Sequence, residues 1–106
     1  MPKYLFIGQY TAEGARGVMK DGGSRRREVA AQLTESVGGT LEAFYFAFGP
    51  DDFFVLVDLP DNAAAVAASM NVAAAGAVNL RTVVLLTPEE MDRATQQQAQ
   101  YTPPGG

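Results

Sequence analysis

The chain is built around the stretch 43-AFYFAFGPDDFFVLVDLP-60. Two apolar runs, Ala43–Phe48 and Phe53–Val57, flank the four residues Gly-Pro-Asp-Asp at positions 49–52. Aromatic and β-branched residues favour strands, and Gly, Pro and Asp favour tight turns. The stretch therefore predicts a β-hairpin.

Both faces of this hairpin are predicted to be apolar. Alternation along the first strand separates Phe44, Phe46 and Phe48 from a second set, Leu41, Ala43, Tyr45 and Ala47. A half-solvated antiparallel strand carries polar residues on one face, and neither set does. We therefore expect both faces of the hairpin to be covered.

The residues before the hairpin predict one strand and two helical segments. Lys3–Tyr10 is a short β-rich run, and Thr11 can cap a short helical turn after it. Ser24 is predicted to cap a helix over Arg25–Val37, which carries an apolar stripe with helical spacing. Gly38-Gly39 is typical of a left-handed helix C-cap.

The residues after the hairpin predict a helix, a strand and a second helix. Asp61 can cap an alanine-rich helix to about residue 75, with Val66, Met70 and Ala74 on its inward edge. Asn79–Leu86 is a β-rich run. Thr87, followed by Pro and two Glu residues, predicts a capped helix to about residue 98.

This order of elements predicts the fold class: α+β, a ferredoxin-like βαββαβ unit with an antiparallel sheet and a C-terminal helix. In that plan the helices cover one sheet face, so the other apolar face is left bare and indicates an interface. We expect a homodimer or higher homo-oligomer formed by face-to-face packing of two copies. The domain is expected over residues 1–98, and the Pro- and Gly-rich residues 99–106 are expected to form a disordered tail.

Composition excludes several classes of function. The 106-residue chain contains no Cys, His or Trp, so we expect no metal, haem, iron–sulfur or flavin cofactor and no thiol nucleophile. A net charge of −4 argues against nucleic acid as a partner. No apolar run approaches membrane length and no signal-peptide pattern opens the chain, so we expect no membrane partner and a cytoplasmic protein.

The chain resembles the GYD-domain family of small bacterial proteins over roughly residues 3–92. The motifs that carry the resemblance are Tyr10-Thr11, Arg26, Gly38-Gly39, Asp52, Asp58-Leu59-Pro60 and Asn79-Leu80-Arg81-Thr82. The chain lacks the Gly-Tyr-Asp motif that names the family, because its turn reads Gly49-Pro50-Asp51-Asp52 and has no tyrosine. The resemblance implies a dimeric α/β-barrel type of association and implies no particular activity.

Tyr10, Arg26 and Asp58 are the candidate ligand-binding residues. Helical spacing turns Arg26 toward the sheet, at a helix start where the macrodipole disfavours a cation. A carboxylate such as Asp58 or Glu28, or a bound anion, would compensate this charge, and we favour a pair with Asp58 near Tyr10. Strand parity puts Asp58 and Asp52 on one sheet face together with Phe54 and Leu56. Asp52 is predicted to accept backbone hydrogen bonds in the turn. No residue is assigned a catalytic role.

Two functions remain open from the sequence. The first is an oligomeric module that binds a small anionic or aromatic molecule between sheet and helices, with cofactor-free enzymatic activity as a variant of it. The second is a non-catalytic assembly protein whose apolar sheet face serves self-association. A pocket with convergent polar groups would favour the first, and a filled core the second.

Overall fold

A computed structural model describes all residues, 1–106, and has a four-stranded sheet with four helices. The strands and helices in chain order are β1 (Lys3–Tyr10), α1 (Ala12–Asp21), α2 (Gly23–Ser36), β2 (Thr40–Phe46), β3 (Phe53–Asp58), α3 (Asn62–Ala74), β4 (Val78–Leu85) and α4 (Pro88–Thr95). Neighbouring strands are antiparallel and follow the order β2-β3-β1-β4. The predicted ferredoxin-like α+β fold, with its additional C-terminal helix, is therefore confirmed.

The predicted hairpin is formed by β2 and β3, whose ends meet at the Phe46–Phe53 pair. The Ala47 N–H donates to the Asp52 carbonyl at 2.8 Å and closes the turn. A β-bulge between Leu41 and Ala43 pairs Leu41 with Val57, a residue of the buried face. The expectation that Leu41 shares a face with Ala43 is therefore wrong, because the extra residue of a bulge inverts the alternation.

The core lies between the sheet and the helices and includes three completely buried side chains, Tyr4, Val57 and Leu59. The Tyr4 hydroxyl donates to Asn62 Oδ1 at 2.6 Å, so this buried polar group is satisfied at the start of α3. Burial alternates along β3, where Phe53, Val55 and Val57 are buried. Their neighbours Phe54 and Leu56 belong to the opposite face and remain partly exposed.

The helix caps follow most of the sequence signals. The Thr11 hydroxyl accepts from the Gly14 N–H at the start of α1, and Thr87 and Glu90 form a capping box on α4. Gly38, at φ 88°, ends α2 in a Schellman arrangement, in which the Gly39 N–H donates to the Thr34 carbonyl at 3.0 Å.

The start of α2 differs from the prediction. The N-cap of α2 is Gly22, with no side-chain cap, and Ser24 already lies inside the helix. The prediction of a Ser24 cap is therefore wrong. The positive φ of Gly22, 83°, allows α1 and α2 to follow each other with a one-residue break, a conformation that glycine adopts without steric cost.

α3 packs on the sheet through alanines rather than through its large side chains. Ala65 and Ala68 are buried, whereas Val66 and Met70 are 54% and 65% exposed. The prediction that Val66 and Met70 form the inward edge is therefore wrong. A methyl side chain lets the helix backbone approach the sheet closely, and Asp61 caps the helix as predicted by accepting from the Ala64 N–H.

α4 projects from the rest of the molecule. It ends at Thr95, earlier than predicted, and buries none of its residues. The radius of gyration is 16.8 Å, compared with about 13 Å for a compact domain of this length. No helix combines the length and the apolar character needed to cross a bilayer.

Candidate ligand-binding site

A cavity of about 110 Å³ lies between the sheet and the helices α2 and α3. Thirteen of its fifteen lining residues are hydrophobic, and the remaining two are Arg26 and Thr34. The Thr34 hydroxyl donates to the Ala30 carbonyl of its own helix at 2.7 Å. Its donor is thus satisfied, and Arg26 is left as the charged group of the cavity.

Aromatic rings form one wall of the cavity. The rings of Phe44 and Phe53 are stacked with their centroids 5.7 Å apart, and the Tyr10 ring is tilted against Phe53 at 5.2 Å. Gly8 makes this arrangement possible, because a Cβ at this position would lie only 2.0 Å from the Phe53 ring. The sequence did not identify Phe53 or Phe44 as site residues.

Arg26 lines the cavity and is half-buried. No carboxylate lies within 4.0 Å of its guanidinium, since the ion pairs of the molecule join Arg25 to Glu28, Lys3 to Glu42 and Asp58, and Arg81 to Asp51. Helical spacing therefore predicted the inward position of Arg26 correctly. Of the compensating groups considered from the sequence, neither Asp58 nor Glu28 is its partner.

Tyr10 lies beside Arg26 in the lining of the cavity. Burial raises the pKa of the Tyr10 hydroxyl above its ordinary value of 10.0, and the nearby Arg26 charge opposes that rise. Asp52 adds to the rise in the Tyr10 pKa through its negative charge. The hydroxyl is consequently neutral at pH 7 and available as a hydrogen-bond donor.

Asp52 holds the end of β1 that carries Tyr10. Its carboxylate accepts the Tyr10 backbone N–H at 2.7 Å, and its own N–H donates to the Gly8 carbonyl at 2.8 Å. The prediction that Asp52 accepts a backbone hydrogen bond is confirmed. The sequence did not show that the donor belongs to Tyr10, because this contact joins residues that are 42 positions apart.

Asp58 does not lie with Tyr10 and Arg26 in the lining of the cavity. It pairs with Lys3, whose Nζ lies 2.9 Å from Asp58 Oδ1 and 2.6 Å from Glu42 Oε2. Both hydrogen bonds raise the pKa of Lys3 above its ordinary value, and the bond to Glu42 contributes most to the rise. The predicted Arg26–Asp58 pair is wrong because Asp58 belongs to the same alternating set as Phe54 and Leu56, on the sheet face opposite the helices.

That second sheet face, which we call the open face, is covered by no helix. Its apolar residues, identified by the strand register and by alternation along each strand, are Leu5, Ile7, Ala43, Tyr45, Phe54, Leu56, Val83 and Leu85. Polar groups lie at its two ends. Lys3 with its partners Asp58 and Glu42 lies at one end, and the Arg81–Asp51 pair, 3.0 Å apart, lies at the other. Tyr45 is 71% exposed at the edge strand β2.

Comparison with known proteins gives one family. The model of the GYD domain matches residues 4–95 of this chain. No curated protein and no solved structure matches it. Since the match covers β1 to α4 in full apart from the first residue of β1, this chain belongs to the GYD domain family.

Proposed function

We propose that this chain is a homo-oligomeric cytoplasmic module that binds a small organic molecule in the cavity between its sheet and helices. The observation that carries the proposal is an apolar cavity with a guanidinium in its lining and no protein carboxylate beside that guanidinium.

The cavity supports binding because protein interiors are normally filled. Packing density in cores leaves few voids larger than a water molecule. A cavity of about 110 Å³ is far larger than one water needs, and apolar walls hold water poorly. Ligand sites commonly combine such walls with a few polar groups that orient the ligand.

The groups in the cavity support binding more strongly than catalysis. The Arg26 guanidinium offers only hydrogen-bond donors, and the Tyr10 hydroxyl, whose pKa burial raises above 10.0, is neutral at pH 7. Both can donate hydrogen bonds to a bound molecule, but neither is poised as a general base at pH 7. Any cofactor-free reaction here would rest on orientation and on charge stabilisation by Arg26.

A thermal-shift screen against small metabolites tests the proposed function, because a ligand that binds the native state raises the melting temperature. Ala30→Leu reduces the cavity, since Ala30 lines it, and Ala31→Leu on the same helix is the matched control outside the lining. We expect some compounds to stabilise the parent and the control but not Ala30→Leu. A screen in which no compound does so would contradict the proposal.

The oligomer is proposed from the open face, with a second copy of this chain as its occupant. Four strands about 4.8 Å apart, with about 3.3 Å per residue, give a face of about 20 by 25 Å. This flat area of about 500 Å² is smaller than the ~800 Å² that each partner buries in a standard interface. The projecting helix α4, which buries no residue of its own, can supply the remaining area.

The open face also supports a second function, that of an assembly protein without a ligand. Its apolar centre and charged ends resemble the core and rim of protein interfaces. The two functions differ in what the cavity does. If the melting temperature rises with protein concentration but with no compound in the screen, self-association alone is the function.

A further inference from the structure

We propose that the ligand is a small aromatic carboxylate, whose single ring lies in the cavity and whose carboxylate pairs with Arg26. This inference rests on the proposed function, since it assigns a chemical class to the molecule that the cavity binds.

The size of the cavity limits the buried part of the ligand to about one ring. At about 110 Å³ it is close to an engineered protein cavity of about 150 Å³ that binds benzene. A fused bicyclic ring or a long acyl chain would exceed this space. The deep lining residues Val55, Leu59 and Val78 are all buried and apolar, so they offer no partner to a polar substituent.

The wall of the cavity favours a flat ring over a branched aliphatic group. Phe44 and Phe53 are already stacked, and Tyr10 is tilted against Phe53. Aromatic rings gain energy beyond their buried area in stacked and tilted arrangements with centroids about 4.5–7 Å apart. A ligand ring packed beside these side chains can adopt the same stacked or tilted arrangement.

The charge of Arg26 determines the polar group of the ligand. Because Arg26 is half-buried whereas the deep lining is buried, its guanidinium marks the open side of the cavity. A planar guanidinium binds a carboxylate through two parallel hydrogen bonds, a geometry that a neutral ligand cannot match. The neutral Tyr10 hydroxyl beside Arg26 can donate a further bond to the same carboxylate.

Asp52 is the acidic group whose charge acts on Tyr10, and its carboxylate is engaged by the backbone of β1. Its charge acts on the Tyr10 hydroxyl, but Oδ2 accepts the Tyr10 backbone N–H at 2.7 Å. It forms no ion pair with Arg26. The guanidinium therefore keeps its positive charge available to a bound anion.

The test compares benzoate with benzamide, which has the same ring and a neutral polar group, by titration at pH 7 followed in ¹H–¹⁵N NMR spectra. We expect benzoate to bind the parent at least tenfold more tightly than benzamide. Arg26→Gln should weaken benzoate by about 10- to 100-fold, as expected for hydrogen bonds between charged groups. Benzamide binding should be unchanged in that variant.

Arg25→Gln and Arg27→Gln are the controls, because both residues are exposed and lie outside the cavity lining. Tyr10→Phe keeps the aromatic ring and removes the hydroxyl, so it should weaken benzoate less than Arg26→Gln does. Chemical shifts and melting curves of each variant without ligand show whether it is folded.

The outcomes separate this inference from the proposed function. Equal affinity for benzoate and benzamide, or an Arg26→Gln variant that binds benzoate like its controls, would overturn the carboxylate assignment and leave a small-molecule cavity. If neither ring compound binds while other compounds in the metabolite screen do, the aromatic class is overturned. If nothing binds at all, the proposed function fails with it.

Discussion

Under the helices, Val55 and Val57 are buried in a core that contains a cavity, whereas on the other side of the same strand Phe54 and Leu56 stay partly exposed. Both faces are apolar in sequence, so hydrophobicity alone does not distinguish them. The covered face has its counterpart within the chain, in α2 and α3, and the open face has none. One strand can therefore serve two tasks, and we propose a ligand site on one of its faces and an interface with a second copy on the other.

The largest expected effect separates the faces by stability. Leu59 is completely buried in the core, and Leu59→Ala should lower the free energy of unfolding by about 2–5 kcal/mol. The matched change on the open face, Leu56→Ala, should cost less than about 2 kcal/mol in the monomer because this side chain is partly exposed. Denaturant unfolding at low protein concentration measures both values. Equal losses would mean that the open face is packed as tightly as the core.

The next effect concerns association. A charge at the centre of the open face, as in Leu56→Glu, should dissociate the proposed oligomer without unfolding the chain, because an unpaired charge is costly in an apolar interface. Light scattering after size exclusion should give at least two chains for the parent and a single chain of 11.2 kDa for the variant. A parent that is a monomer at micromolar concentration would refute the role of the open face.

A smaller loss is expected where Asp52 holds β1. Asp52→Ala removes the acceptor of the Tyr10 N–H and should cost about 1.5–3 kcal/mol, as for hydrogen bonds to charged groups. Asp51→Ala in the same turn is the control, since Asp51 pairs with the exposed Arg81 and a surface pair contributes at most about 1 kcal/mol. Thermal unfolding of both variants should show the larger decrease for Asp52→Ala.

The smallest effect is a change in titration on the covered face. The Tyr10 hydroxyl has a pKa above 10.0, so its neutral form is favoured by folding, and that contribution is present below pH 10 and lost as the pH rises through the folded pKa. Arg26→Gln removes the opposing charge and should raise the Tyr10 pKa further. Ultraviolet titration of the parent and variant, with Tyr10→Phe to assign the signal, measures the shift. A lower Tyr10 pKa in Arg26→Gln would show that the two side chains do not interact as described.

The sequence predicted the elements of this fold well because their signals are local. The Gly-Pro-Asp-Asp turn, the caps Thr11, Asp61 and Thr87, and the Gly38 helix end each act within a few residues of chain. The side chains of α3 were assigned incorrectly because alanine is apolar on every side of a helix. An alanine-rich composition therefore does not show which face of α3 packs on the sheet. In the structure, the face that allows the helix backbone to approach the sheet closely is the one that packs.

The candidate site was predicted in part for a similar reason. Helical spacing placed Arg26 toward the sheet, and the structure brings it beside Tyr10. Strand parity showed that Asp58 shares a face with Phe54 and Leu56, but parity does not show which of two apolar faces the helices cover. That information depends on the pairing of distant strands, as does the Lys3–Asp58 pair between residues 55 positions apart.

Methyl NMR spectra of the leucine and valine side chains test the assignment of the two faces most directly. We expect benzoate to shift signals of the cavity lining, such as Leu33, Val55 and Val72, and dilution of the protein to shift signals of the open face, such as Leu5, Leu56 and Val83. Shifts from both treatments on the same face, or benzoate shifts confined to the open face, would contradict the assignment.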